Sequence, residues 1–268
     1  IHMIIGVPRE RKTLEKRVAL TPDGASELTK RGHKVLIETK AGAGSFFSDD
    51  SYKSAGCTIV PTLADVWKSC ELLVKVKEPH ESEYEFFRPG LTLFDYLHLA
   101  SMPDVTKAML DGGVTGIAYE LVQTVDRRLP LLEPMSEVAG KLSVLNGSYF
   151  LLSQNGGRGV LLGGTVGVEP ANVVILGAGI AGRNACEIAL GMGANVTVLD
   201  IDYAKLERIK VQFNNRANIV YSTRASIERA CREADLLIGA VLIPGAHAPR
   251  LITRDIIRTM KESSVFVD

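Results

Sequence analysis

The 268-residue sequence lacks several features that mark whole classes of proteins. No apolar run reaches the roughly 18 residues that a membrane-spanning helix needs, and there is no signal-peptide pattern. Lys+Arg and Asp+Glu both number 31, so the formal net charge is zero and nothing favours a nucleic acid or an anionic membrane as partner. We therefore expect a cytoplasmic protein that binds neither.

Cysteine is also scarce. The four cysteines stand far apart, without a CxxC pair and without histidines at zinc-finger spacing: Cys57, Cys70, Cys186 and Cys231. This pattern predicts small buried thiols in a reducing compartment and no metal site. Ile1 and His2 precede Met3 like a cloning remnant and are left out of the fold interpretation.

The length predicts about two domains with sizeable cores. From Met3 to about Pro134, short apolar runs alternate with helical patterns, which predicts a mostly parallel sheet covered on both faces. The predicted strands are 3–7, 33–38, 57–60, 71–77, 91–98 and 116–120. In the strand 71–77, simple alternation puts Lys75 and Lys77 on one face.

A second α/β region follows a long helix, predicted over 136–152 with Ser136 as its N-cap. Such a helix is the natural connector and one wall of an interdomain cleft. The sequence thus predicts two doubly wound α/β domains joined by a long helix: a substrate domain, 3–135, and a Rossmann NAD-binding domain, 136–268. Because a doubly wound nucleotide domain normally continues past a strand such as 265–267, we expect the second domain to be truncated at its C-terminal end.

A glycine turn gives the second domain its predicted function. The apolar residues 173–176 are followed by Gly177, Gly179 and Gly182, the spacing of a dinucleotide fingerprint. We expect Gly177 to allow the tight turn, Gly179 to let the backbone approach a diphosphate, and Gly182 to bring the helix close to the sheet. The diphosphate would lie at a helix N-terminus, where unpaired N–H groups favour negative charge.

The next strand, 195–200, ends in Asp200, eighteen positions after Gly182. At this place an acid accepts hydrogen bonds from the adenosine ribose. It would repel a 2′-phosphate by roughly 4 kcal/mol at 4 Å and an effective dielectric of about 20. The predicted cofactor is therefore NAD rather than NADP.

Three residues of the first domain could bind or transform a substrate: Arg17, in the loop after the first strand, and Lys77 and His98, at the ends of two later strands. Arginine grips a carboxylate with two hydrogen bonds, lysine neutralises one, and histidine moves protons near neutral pH. Each residue type is also common as ordinary surface or structural residue. As a set they suit an acid substrate whose oxidation is coupled to nicotinamide.

Several segments together closely resemble the bacterial L-alanine dehydrogenases of the alanine dehydrogenase and transhydrogenase alpha-subunit superfamily. The segments are 15–22 (EKRVALTP), 74–79 (VKVKEP), 92–100 (TLFDYLHLA), 134–140 (PMSEVAG), 156–161 (GGRGVL) and 239–245 (GAVLIPG). The resemblance covers essentially residues 3–268. It implies reversible oxidative deamination of L-alanine by NAD to pyruvate and ammonia, in an enzyme that is typically a homohexamer.

The same resemblance implies roles for individual residues. Arg17 and Lys77 match the pyruvate-binding arginine and lysine, His98 the proton-transferring histidine, and Met135 lies on the substrate side. The implied positions around the dinucleotide are Ser136, Asp200, Lys205, Ser222, Val241 and Leu242. The family's catalytic aspartate lies just past Asp268, beyond the end of this sequence.

Three alternatives stay open. A transhydrogenase-like nucleotide-binding subunit shares the early RVA-x-TP pattern, although the Lys77–Pro79 and Leu97–Leu99 segments argue against it. An NAD-binding fragment that is inactive through loss of the catalytic aspartate is the second. A saccharopine-type dehydrogenase is possible by fold analogy alone and would favour a bulkier substrate.

Overall fold

The computed structural model describes residues 2–242 and 250–268. They form two compact units, one comprising 2–131 and the other 132–242 with 250–268. Each unit is an α/β structure built on a fully parallel sheet, so the predicted fold class is confirmed. Within the described residues, no helix is both long and apolar enough to cross a membrane.

The first unit contains a six-stranded sheet with the order β3-β2-β1-β4-β5-β6. Its strands are β1 (Ile4–Val7), β2 (Lys34–Glu38), β3 (Thr58–Val60), β4 (Leu72–Lys77), β5 (Thr92–Tyr96) and β6 (Thr115–Ala118). Its helices are α1 (Pro22–Lys30), α2 (Asp49–Ser54), α3 (Leu63–Ser69) and α4 (Pro103–Gly112). Thr21 caps α1, with Pro22 at the first helical position as the sequence predicts.

Apolar side chains cover both faces of this sheet. One cluster is centred on Trp67, which is fully buried and lies 6.1 Å from the ring of Phe86 and 5.9 Å from that of Phe87. The other contains Val7, Ile37 and the buried Tyr52, whose hydroxyl donates to the Leu20 carbonyl at 2.7 Å. The two clusters enclose the sheet, which is why its strands are apolar on both sides.

A bulge in β4 overturns one detail of the sequence interpretation. Val74 pairs with Phe94 and Lys77 with Tyr96, so β4 uses three steps where β5 uses two. The extra residue resets the alternation and places Lys77 on the face of Val74, opposite Lys75. The prediction that the two lysines share a face is therefore wrong.

The second unit has a five-stranded sheet with the order β11-β10-β7-β8-β9. Its strands are β7 (Asn172–Leu176), β8 (Asn195–Asp200), β9 (Asn218–Tyr221), β10 (Leu236–Gly239) and β11 (Val265–Val267). Its helices are α5 (Glu133–Leu151), α6 (Ile180–Gly191), α7 (Tyr203–Gln212), α8 (Arg224–Glu233) and α9 (Arg254–Arg258). Two apolar clusters fill the space between this sheet and its helices.

The long helix α5 begins earlier than the serine pattern predicts. It starts at Glu133, with Pro134 in the first turn, so Ser136 is a helical residue and not the N-cap. Its inner face lies very close to its neighbours: a Cβ added at Gly140 would come within 2.1 Å of the Ala181 carbonyl oxygen in α6. The absence of a side chain at Gly140 thus lets α5 approach α6 closely.

The four cysteines are buried, as predicted, and all four are free thiols. Burial raises the pKa of Cys70 and Cys231 to about 11 and that of Cys186 to about 12. These thiols are therefore uncharged packing residues at neutral pH.

Candidate functional site

The first unit presents its candidate residues at one edge of the sheet. Strands β1, β4 and β5 are adjacent and parallel, so their carboxyl ends meet at the same edge. Lys77 ends β4, His98 stands two residues after β5, and Arg17 belongs to the segment between β1 and α1. The topology thus brings all three predicted residues to the edge where α/β proteins bind ligands.

Arg17 is held by a neighbouring carboxylate. Its Nε donates to Glu15 Oε1 at 2.9 Å and its Nη2 to Glu15 Oε2 at 2.7 Å. These hydrogen bonds hold the pKa of Glu15 down at about 2 and raise that of Arg17. The planar guanidinium is thereby fixed in orientation, and its charge is balanced locally.

Lys77 is positioned through its backbone. Glu10, from the segment after β1, accepts hydrogen bonds from the N–H of Val76 at 2.6 Å and from that of Lys77 at 3.4 Å. These bonds occupy the backbone donors at the β4 bulge. Tyr96 is the register partner of Lys77 on β5, and its ring lies beside the imidazole two residues further on.

His98 adopts a left-handed backbone conformation, with φ 48° and ψ 37°. Its N–H donates to Glu120 Oε1 at 2.7 Å, and the same oxygen is 3.8 Å from His98 Nδ1. The ring is stacked on Tyr96, with centroids 6.0 Å apart, and Tyr96 donates its hydroxyl hydrogen to the Leu131 carbonyl. Residues other than glycine rarely adopt this left-handed conformation. The hydrogen bond to Glu120 and the stacking on Tyr96 hold His98 in it.

Four residues of this edge were missed from the sequence: Glu10, Glu15, Tyr96 and Glu120. Two of them left a signal, since Glu15 and Tyr96 each precede a predicted residue by two positions. Glu10 and Glu120 left none, because they act on residues 67 and 22 positions away.

The second unit contains the glycine turn between β7 and α6. Gly177 has φ +107°, and a Cβ there would meet the Ala240 carbonyl oxygen at 2.6 Å. A Cβ at Gly182 would lie 1.8 Å from the Gly177 oxygen, whereas one at Gly179 would meet nothing within 4 Å. The turn is thus closed at its first and third glycines and open at the second, beside the N-terminus of α6.

Asp200 is hydrogen-bonded to this turn. Its Oδ2 accepts a hydrogen bond from Ala178 N at 2.6 Å and its Oδ1 one from Asp202 N at 2.9 Å. A carboxylate oxygen has two lone pairs, so both oxygens retain acceptor capacity. The acid at the end of β8 therefore stands next to the open glycine.

The five remaining predicted cofactor residues, and Met135, which was predicted to bind the substrate, lie in the second unit as well. Lys205 Nζ is 3.7 Å from Asp202 Oδ2, and Ser222 N donates to the Asp200 carbonyl at 2.9 Å. Val241 lines a cavity of about 330 Å³ and Leu242 is exposed. Met135 and Ser136 stand in the first turn of α5. The binding roles of all six stay predictions.

No group of three or more His, Cys, Asp or Glu side chains able to hold a metal occurs in 2–242 or 250–268.

The two domains define the class of the protein. Residues 6–139 match the family described as "Alanine dehydrogenase/PNT, N-terminal domain", and residues 143–268 match "Alanine dehydrogenase/PNT, C-terminal domain". The chain belongs to this family.

Within the family the chain is similar to alanine dehydrogenases. It is 53% identical over 266 residues to the alanine dehydrogenase of Mycolicibacterium smegmatis. The match covers 99% of this chain and 72% of that protein. A solved L-alanine dehydrogenase superposes with a TM-score of 0.90 at 48% identity, covering 98% of this chain and 73% of that one. The resemblance stated from the sequence is confirmed.

The transhydrogenase alternative is more distant. The transhydrogenase from Sinorhizobium meliloti superposes with a TM-score of 0.81 at 26% identity, over 98% of this chain and 77% of that one. The fold is therefore shared by both branches, whereas the sequence is nearer to the alanine dehydrogenases.

Proposed function

We propose that this chain catalyses the reversible, NAD-dependent oxidative deamination of L-alanine to pyruvate and ammonia. The observation that carries this proposal is the 53% identity to an alanine dehydrogenase along 99% of the chain. In this proposal the predicted domains keep their roles: 3–135 binds the substrate and 136–268 binds NAD.

The substrate carboxylate is bound by Arg17 and Lys77. Glu15 takes two of the guanidinium donors and balances the charge of Arg17. Lys77 therefore supplies the net positive charge that a carboxylate needs, while Arg17 adds directional hydrogen bonds. Met135 lies on the substrate side in the same proposal.

The glycine turn is suited to hold NAD. The open side of Gly179 leaves room for a diphosphate at the N-terminus of α6, and Asp200 binds the adenosine ribose hydroxyls. Gly177 and Gly182 keep the turn closed around it. The remaining contacts of the dinucleotide would come from Ser136, Lys205, Ser222, Val241 and Leu242. When bound, NAD accepts the hydride from Cα of alanine.

His98 moves the protons of the reaction. Hydride loss from Cα leaves an imine, which a water molecule attacks. His98 takes a proton from that water as the C–O bond forms and gives it to the nitrogen, so that the C–N bond can break. As the carbinolamine collapses to the ketone, its hydroxyl proton passes through His98 to the solvent. The products are pyruvate and ammonia, and the histidine ends in its starting protonation state.

NADH absorbance at 340 nm tests the proposal. Purified protein with NAD and L-alanine is expected to form NADH, with glycine, serine and lysine as competing substrates. Lys77→Met should raise KM for alanine, and His98→Asn should lower kcat while leaving the Kd for NAD unchanged. Retained NAD binding without NADH formation would instead support an inactive NAD-binding module, and hydride exchange between two nucleotides would support the transhydrogenase reading.

We propose further that the chain forms a homohexamer in the cytoplasm. Val138, Leu142, Leu145 and Tyr149 stand at helical spacing on α5, and each is about half exposed in the single chain. Such a stripe is typical of a surface that a second copy covers. Light scattering should give a hexamer, and Leu142→Glu with Leu145→Glu should give smaller species. The four unpaired cysteines fit a reducing compartment.

A further inference from the structure

A buried carboxyl group lies on β5, on the face of the strand opposite Tyr96. Asp95 is 0% exposed, and neither of its oxygens has a hydrogen-bond partner among the described residues. Glu120 Oε2 is buried and unpartnered in the same part of the chain. Asp95 is paired in register with Ala118, two residues before Glu120. Buried acceptors of this kind need a donor, and a proton on one of the two carboxyl groups would supply one.

The surrounding charges also favour a proton on Asp95. The ionisable groups that act on Asp95 are Lys75 on β4, Glu10 after β1, Glu83 in a 3-10 helix, and Glu120 and Tyr119 after β6. Lys75 Nζ is already 3.0 Å from Glu83 and 3.5 Å from Glu10. One ammonium group therefore stands among four carboxyl groups. Burial raises the pKa of Asp95 well above its usual range, and Lys75 offsets this only in part.

We propose that Asp95 and Glu120 share one proton, carried by Asp95, and that the ionised Glu120 holds His98 in the tautomer with its proton on Nδ1. Glu120 Oε1 already accepts the His98 N–H at 2.7 Å and lies 3.8 Å from Nδ1. The Nδ1–H faces Glu120, so Nε2 is the nitrogen that exchanges protons with the substrate. Asp95 and Glu120 are positioning residues, and the inference rests on the proposed role of His98.

The proton balance follows from this arrangement. When water attacks the imine, Nε2 takes one proton and the ring becomes an imidazolium beside the Glu120 carboxylate. Nε2 then gives the proton to the leaving nitrogen, and as the carbinolamine collapses it takes the hydroxyl proton and passes it to the solvent. The proton shared by Asp95 and Glu120 does not move, and its task is to keep one charge, rather than two, beside the ring.

The pH dependence of kcat/KM for alanine distinguishes the partners. Glu120→Gln removes the charge that stabilises the imidazolium, so the acidic limb should move down by at least about one pH unit, which is what one charge 3.8 Å away does even in water. Asp95→Asn keeps a donor for Glu120 and should leave the limb in place. Asp95→Leu removes the donor, lets Glu120 take up a proton, and should behave like Glu120→Gln.

Nuclear magnetic resonance of protein labelled with ¹⁵N-histidine tests the same inference without turnover. The His98 signals are identified by their loss in His98→Asn. The unchanged protein and Asp95→Asn should have the Nδ1–H tautomer, and Glu120→Gln should populate the Nε2–H tautomer. Circular dichroism melts and NAD binding control for folding. If Asp95→Leu does not fold, Asp95→Asn and Glu120→Gln still decide the outcome.

Any one of three results would overturn the inference. The acidic limb of the pH profile could stay in place in Glu120→Gln, or it could move in Asp95→Asn. The unchanged protein could also show the Nε2–H tautomer. A protein that forms no NADH from alanine but has the expected tautomers would refute the proposed function and leave the carboxyl pair standing.

Discussion

The glycine turn allows one chemical change to be made at two positions with opposite expected effects. Gly182→Ala would place a Cβ 1.8 Å from the Gly177 carbonyl oxygen, whereas real contacts of this kind need at least 3.0 Å. The obstacle is backbone, which cannot rotate away, so α6 must move off the turn. We expect the free energy of unfolding to fall by about 3 kcal/mol, near the upper end of the costs measured for overpacked cores. The Tm should fall by roughly 6–12 °C.

Gly179→Ala should spare the fold and harm only NAD binding. A Cβ there meets nothing within 4 Å, and the backbone, at φ −70° and ψ −165°, suits any residue. The stability change should stay below about 1 kcal/mol. The methyl group would occupy the approach of the diphosphate, so the Kd for NAD should rise at least about tenfold.

Calorimetric melts measure the stability of each variant, and titration with NAD in an isothermal calorimeter measures the Kd. Gly191→Ala is the matched control, because it lies in the same helix, also meets nothing within 4 Å, and should change neither quantity. If Gly179→Ala bound NAD as tightly as the unchanged protein, the diphosphate would not approach at this glycine. If Gly182→Ala melted normally, the close approach of α6 would not be a constraint.

Three further predictions concern charge. Asp200→Ser should raise the ratio of kcat/KM for NADP over NAD by roughly tenfold to a thousandfold, since it removes the charge that repels a 2′-phosphate; an unchanged ratio would refute that role. Lys75→Met leaves Glu83 and Glu10 buried without their cation and should lower the free energy of unfolding, measured with urea, by about 3–5 kcal/mol. The control Lys107→Met, which breaks an exposed ion pair, should lower it by less than about 1 kcal/mol. Asp95 has a raised pKa, so the folded state holds its proton more tightly and stability falls as pH rises above about 4; Asp95→Asn should therefore raise Tm at pH 8 but not at pH 4, and equal gains at both would contradict the shift.

Much of the fold could be predicted because its signals are local. The predicted strands 3–7, 33–38, 57–60, 71–77, 91–98, 116–120, 173–176 and 195–200 all correspond to strands of the structure. The exceptions have causes outside their own segment. The bulge in β4 is stabilised by Glu10, which is 66 residues away from the Val76 N–H that it accepts. No alternation rule within 71–77 could reveal it.

The same distinction applies to the residues of the candidate site. The common location of Arg17, Lys77 and His98 was predictable because strand ends in a parallel sheet meet at one edge. The carboxyl groups behind them were not, since a buried Asp95 resembles any polar residue in an alternating strand until its neighbours are known. Long-range pairing of charges is the part of such a site that a single sequence hides.

The first unit also carries a built-in spectroscopic reporter. Trp67 is the one tryptophan of the 268-residue chain, and it is fully buried between Phe86 and Phe87. Its emission should be blue-shifted while that core is intact and red-shifted once it opens. Because the second unit has no indole, tryptophan emission, excited where tyrosine does not absorb, follows the melting of residues 2–131 alone. Far-UV ellipticity recorded in parallel reveals whether the two units unfold together or one after the other.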